Sequence, residues 1–169
     1  MKKALLAIVA AACMAMGFNG WFYASPANAV TCAAPTAKAA STSFTPDPGS
    51  TNSGTWLITT RVDYTRCTTG YGAYAKNITV RVFIDKQQGY CGRVYQWSVN
   101  PDVLGGWNPG TKNSNSVCAN PVLAWYGPSG LNVYSTGTAA SRCLGGTATA
   151  HFAPAGGSAS KALAQVCIV

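Results

Sequence analysis

Polar and apolar residues alternate with a period of two along most of this chain. Trp56, Ile58, Val62 and Tyr64 fall on one side of an extended segment, with Thr59, Arg61, Asp63 and Thr65 on the other. Ile78, Val80, Val82 and Ile84 alternate with Thr79, Arg81, Phe83 and Asp85, the clearest strand pattern present. Tyr95, Trp97 and Val99 alternate with Val94, Gln96 and Ser98, and Ala148, Ala150 and Phe152 alternate with Thr147, Thr149 and His151. Residues 122–126 and 131–135 flank Gly127-Pro128-Ser129-Gly130, which predicts a hairpin with a four-residue loop. Residues 162–169 predict a final apolar strand. No window shows a 3.6-residue apolar stripe capped at both ends.

About seven short strands separated by loops rich in Gly, Asn, Pro and Ser predict an all-β fold. The expected architecture is an antiparallel β-sandwich stabilised by disulfides, with an immunoglobulin-like arrangement as one option. Trp56, Trp97 and Trp125 lie in strands and are expected in its core.

The first 29 residues change the domain boundaries. Lys2 and Lys3 precede an almost entirely apolar run from residue 4 to 18, and Ala27-Asn28-Ala29 supplies a small-x-small cleavage pattern. This reads as a secretory signal of bacterial type, to be set aside from fold reasoning. Gly17, Asn19 and Gly20 interrupt the run before it reaches the length of a membrane span. Cys13 follows Ala10-Ala11-Ala12, a poor match to a lipidation site, so cleavage after Ala29 is the preferred reading. Residues 30–54, rich in Ala, Thr, Ser and Pro, are expected to form an irregular arm, and residues 55–169 the sandwich domain.

Cleavage leaves six cysteines: Cys32, Cys67, Cys91, Cys118, Cys143 and Cys167. An even set in an exported chain predicts complete pairing, with 15 possible connectivities. Bridges between chain neighbours at these spacings contribute roughly 3 kcal/mol each through loss of unfolded-state entropy. Zinc ligation is not supported, since no C-x-x-C pair exists and His151 is the sole histidine. No cofactor or metal is implied.

The mature chain carries ten Lys and Arg against four Asp and no Glu, a net charge of about +6. That favours an anionic partner and also aids solubility. Catalytic groups are scarce. A glycosidase needs two placed carboxylates, and only Asp63 and Asp85 lie on the polar sides of strong strands. A hydrolase built on His151 with one of these aspartates is the enzymatic alternative, but no G-x-S-x-G elbow accompanies it. Glycine-rich phosphate loops and calcium-ligand clusters are also missing from the sequence.

The candidate binding residues lie where cations and aromatic rings interleave. Arg61, Tyr64, Arg66, Tyr71, Tyr74, Arg81, Tyr90 and Arg93 fall within one 33-residue stretch, a composition suited to stacking on sugars or bases while neutralising phosphate. Trp107, in Gly105-Gly106-Trp107-Asn108-Pro109-Gly110, is either a stacking platform or a lid on the core. The expectation is a secreted, non-enzymatic binding protein, acting extracellularly or at the cell envelope on an anionic wall polymer or a polysaccharide. Nucleic acid remains a partner of the right charge. A secreted inhibitor or antibacterial toxin directed at a protein or membrane is the alternative, because Arg66 and Arg142 adjoin cysteines.

Overall fold

The computed structural model describes residues 29–46, 54–86, 94–115, 120–152 and 156–169 of the 169-residue chain. Residues 1–28, all but the last residue of the expected signal segment, lie outside the described residues, as do Tyr90, Cys91, Arg93 and Cys118.

The polypeptide is built almost wholly of antiparallel strands. Its larger sheet centres on a long hairpin, β3 (Trp56–Thr69) and β4 (Gly72–Lys86). A two-residue turn, Gly70-Tyr71, joins them, and the Thr69 hydroxyl accepts from the Tyr71 N–H at 3.1 Å. On the open edge of β3 lie β1 (Thr31–Cys32) and β2 (Thr36–Phe44). On the open edge of β4 lie β7 (Val122–Tyr126) and β8 (Val133–Tyr134).

The second sheet has the order β11 (Ser158–Ala162), β10 (Gly146–Phe152), β5 (Val94–Pro101), β6 (Lys112–Ser114). A short pair, β9 (Cys143–Leu144) with β12 (Val166–Cys167), follows a single helical turn, α1 (Ala139–Arg142). Because β2, β3 and β4 run as a meander within one sheet, the order differs from that of immunoglobulin domains. There the strand after the second crosses to the other sheet.

The two sheets bury one shared core. Even-numbered positions of β3 (Trp56, Ile58, Val62) and β4 (Ile78, Val80, Val82, Ile84) pack toward Val94, Trp97 and Val99 of β5 and Ala148 and Ala150 of β10. Trp97 joins the layers, with its ring centroid 4.5 Å from Trp56 and 5.8 Å from Phe44. Trp125 is also buried. Each such large side chain contributes roughly 1.5–3 kcal/mol on burial.

A bulge sets the shape of the larger sheet. Asp63 pairs with Thr79 but Thr65 pairs with Lys76, so β4 carries one extra residue, and Asn77 there takes φ +54°. Asparagine tolerates that left-handed conformation better than most side chains. Bulges add local twist and bend. Both edges break at this level: β1 and β2 pair with β3 on either side of it, and β7 and β8 pair with β4 on either side. The predicted hairpin across Gly127–Gly130 therefore does not form. β7 and β8 are two collinear pieces of one interrupted edge strand, joined by a loop in which the Gly127 N–H bonds to Ile78 O at 2.9 Å.

Two further expectations change. The arm from residue 30 to 54 is not irregular throughout, because residues 36–44 form β2, fully paired to β3. Its Ser, Thr and Ala side chains are small and almost all exposed, so no apolar period marks the strand. The expected final strand over 162–169 divides into the end of β11 and β12.

Among the described residues two bridges hold the edges. Cys32–Cys67 ties β1 to β3, and Cys143–Cys167 ties β9 to β12, each joining cysteines consecutive in the sequence.

Candidate functional site

The sandwich has two outer faces of different chemistry. On the larger sheet, side chains in register across β2, β3, β4 and β7 form cross-strand rows. Arg61 stands directly opposite Arg81, with Ala39 and Ala124 at either end of the row. Like charges placed so would repel. Asp63, one row along, relieves this: Arg61 donates to Oδ1 from Nη2 at 2.7 Å and from Nε at 3.0 Å, and Arg81 Nη1 reaches Oδ2 at 3.1 Å. The bond to Asp63 and its negative charge raise the Arg61 pKa above the ordinary arginine value. Two guanidinium groups thus share one carboxylate, and the cluster keeps a net positive charge.

Aromatic rings border it. Tyr126, 71% exposed, pairs with Thr79 beside Asp63. Tyr74 and Tyr134 pair across β4 and β8 with ring centroids 5.6 Å apart. On the other side of the arginine row, Leu57, Thr59, Phe83 and Val122 line a shallow groove of about 330 Å³, whose far rim is Asp85 and Asn120. Asn120 Nδ2 donates to Asp85 Oδ1 at 3.3 Å.

Of the residues singled out by sequence, Arg61, Arg81 and Tyr74 share this outer face. Tyr71 stands at the tip of the β3–β4 turn, 85% exposed, and Arg66 is exposed near the same end. Tyr64, only 5% exposed, belongs to the core, as its phase with Ile58 and Val62 requires. Trp107 is half-buried against the core. A tight turn holds it there, with Leu104 N–H to Trp107 O at 2.9 Å and Trp107 N–H to Leu104 O at 3.0 Å. Gly105 and Gly106 occupy that turn with φ +58° and +82°, the signature of a primed hairpin turn. Trp107 is a lid on the core and does not join the arginine row. Tyr90 and Arg93 lie outside the described residues. Tyr126 and Tyr134 escaped the sequence reading because they come from strands remote in the chain, brought alongside only by pairing with β4.

The paired positions on the outer face of the smaller sheet are polar and uncharged among the described residues, with Asp102 just past the end of β5. Thr147, Thr149 and His151 of β10 stand beside Asn100, Ser98 and Gln96 of β5, with Ser158 and Ser160 of β11 beyond. Ser98 Oγ and His151 Nε2 share a hydrogen bond. Gln96 Nε2 donates to Asn115 Oδ1 at 3.2 Å. A second bulge shapes this face: Phe152 pairs with Val94 but His151 with Gln96, so Tyr95 is extruded. It stands 52% exposed instead of sharing the buried side of Trp97.

The hydrolase constellation does not assemble. His151 lies on the outer face of one sheet, Asp63 and Asp85 on the outer face of the other, and the core separates them. Around Ser98, β5 is paired to β10 on one side and β6 on the other. Its backbone amides are thereby committed to ladders, not grouped as oxyanion donors. Arg142, next to Cys143, donates from Nη1 to Ser135 O at 3.1 Å. Among the described residues no helix is long and apolar enough to cross a membrane.

Comparison of the chain with family models, with curated proteins and with solved structures finds no match in any of the three.

Proposed function

We propose that this chain is an exported, non-enzymatic binding protein that holds an anionic polymer on the outer face of its larger sheet. The observation that carries this reading is the arginine row: Arg61 and Arg81 in register, sharing the single carboxylate of Asp63. Guanidinium groups pair bidentately with phosphate and carboxylate, and here both project from paired strands, so little ordering accompanies binding. The exposed rings of Tyr126 and Tyr134, the latter stacked beside the half-buried Tyr74, offer planar surfaces to the sugar or polyol units between charges. Disulfides among the described residues fit an oxidising destination such as the envelope exterior.

Co-sedimentation of the mature protein with insoluble wall material bearing a polyol-phosphate polymer tests this. Retention is expected at low salt, and it should fall steeply as salt rises through the range where such contacts are screened. The double substitution Arg61→Gln/Arg81→Gln should reduce it about tenfold or more, the loss of roughly 1.4 kcal/mol. A double variant that binds as well as the parent, or a parent indifferent to the polymer at low salt, would overturn the reading. A single-stranded oligonucleotide as competitor separates wall polymer from nucleic acid.

A further inference from the structure

We infer a second binding site, for a neutral hydroxyl-rich polysaccharide, on the outer face of the smaller sheet around Tyr95. It does not rest on the arginine row, which lies on the opposite side of the sandwich.

The bulge between Val94 and Gln96 is the local cause. It breaks the alternation of β5 so that a large ring is turned out of the core and held 52% exposed. An exposed tyrosine fixed on a strand is an apolar platform with a polar tip, suited to the C–H face of a pyranose. The His151 ring lies 6.3 Å from the Tyr95 ring, with the two planes at 52°. The bond between its Nε2 and Ser98 Oγ fixes the orientation of the imidazole.

Hydrogen-bonding capacity lies alongside. The Gln96 amide donates to Asn115 Oδ1, which leaves the Gln96 carbonyl and the Asn115 amide N–H groups as a neighbouring acceptor and donor. Two adjacent sugar hydroxyls, each able to donate and accept, match that pair. Around Tyr95 the paired positions of this face carry no ionised side chain; Asp102, past the far end of β5 against Gly145, is the nearest in the ladder. An anionic ligand finds no counter-charge here, while a neutral one strands no buried charge. The face is a sheet surface without walls, which suits a polymer lying across it. Affinity per contact is low and accumulates by repetition along the chain.

The test is retention of the mature protein on microcrystalline cellulose, chitin and insoluble starch at about 0.5 M salt, where the arginine row is screened. The parent should be retained on at least one of them. Tyr95→Ala should lower the retained fraction about tenfold, and Gln96→Ala severalfold. Tyr95→Phe should retain binding, since stacking needs the ring and not the hydroxyl, and its thermal midpoint serves with that of Tyr95→Ala as the folding control. Arg61→Gln/Arg81→Gln should bind as the parent does. Absence of retention on all three polymers at high salt, or retention unchanged by Tyr95→Ala, would overturn the assignment. So would loss of low-salt polyanion binding in Tyr95→Ala alone, which would make this face the anionic site. Failure of the arginine variant to affect the polyanion assay bears only on the larger sheet.

Discussion

Thr60 sits between Ile58 and Val62 on the buried side of β3, fully enclosed, and its hydroxyl has no hydrogen-bond partner. Burial of an unpaired hydroxyl costs on the order of 1–3 kcal/mol. Thr60→Val, which keeps the shape and suits a strand, should therefore stabilise the protein by about 1 kcal/mol, seen as a higher denaturation midpoint at unchanged slope. A lower midpoint would mean that the hydroxyl is engaged. Gly146 poses the opposite case. It takes φ +125°, and an added Cβ would lie 2.7 Å from Pro101 Cα, against the backbone of the neighbouring strand. Gly146→Ala should destabilise by several kcal/mol, whereas Gly106→Ala, at φ +82° with open space around it, should cost only about 1–2 kcal/mol. Thermal melts of the pair would show the contrast. Asp63 is different again, because both guanidinium partners of its partly exposed carboxylate reach solvent. Asp63→Asn should cost no more than about 1 kcal/mol. It should also steepen the salt dependence of polyanion binding, since both guanidinium groups then face outward uncompensated.

At the scale of elements, the strands that bury one side were legible in the sequence and the others were not. β3, β4, β5, β7 and β10 alternate because one face meets the core, and the buried positions at Ile58, Val80, Trp97 and Ala148 are those the pattern predicts. β2 shows no period because it buries little besides Phe44. Breaks in register were invisible for another reason: a bulge needs only one extra residue and carries no composition of its own. Tyr95 was thus read as an ordinary strand position and assigned to the side of Trp97, and nothing marked Asn77 as the site of a bulge. Tyr64 teaches the converse. Its phase placed it with the core, while its neighbouring cations made it a binding candidate, and packing obeyed the phase. The Cys32–Cys67 bridge closes a 35-residue separation, so Cys32→Ala/Cys67→Ala removes about 3–4 kcal/mol in the chain-entropy account. Hydrogen exchange should speed most at the amides of β1 and β2, which among the described residues pair only with β3, and least at β4. Uniform acceleration would show that the arm is integral to global stability.

For the whole molecule, the consequential fact is that the two outer faces lie back to back across one core. Chemistry that looks continuous along the chain, from Asp63 and Asp85 to His151, is divided by that core, which no linear reading reveals. Pairing of Cys32 with Cys67 and Cys143 with Cys167 leaves Cys91 and Cys118 among the six cysteines that follow Cys13. Peptide mapping of the purified protein without reductant should recover these two in one cross-linked fragment, and a free thiol at either would refute complete oxidation. A last consequence concerns β2, which pairs with β3 along one side. Strand margins of this kind are ordinarily guarded by lysine or proline. Residues 36–44 contain no proline, and the ammonium of Lys38, their one charge, is drawn to Cys167 O at 2.9 Å. Concentrated solutions should therefore associate margin to margin into extended sheets, and a lysine at Ser43 should keep the chains apart.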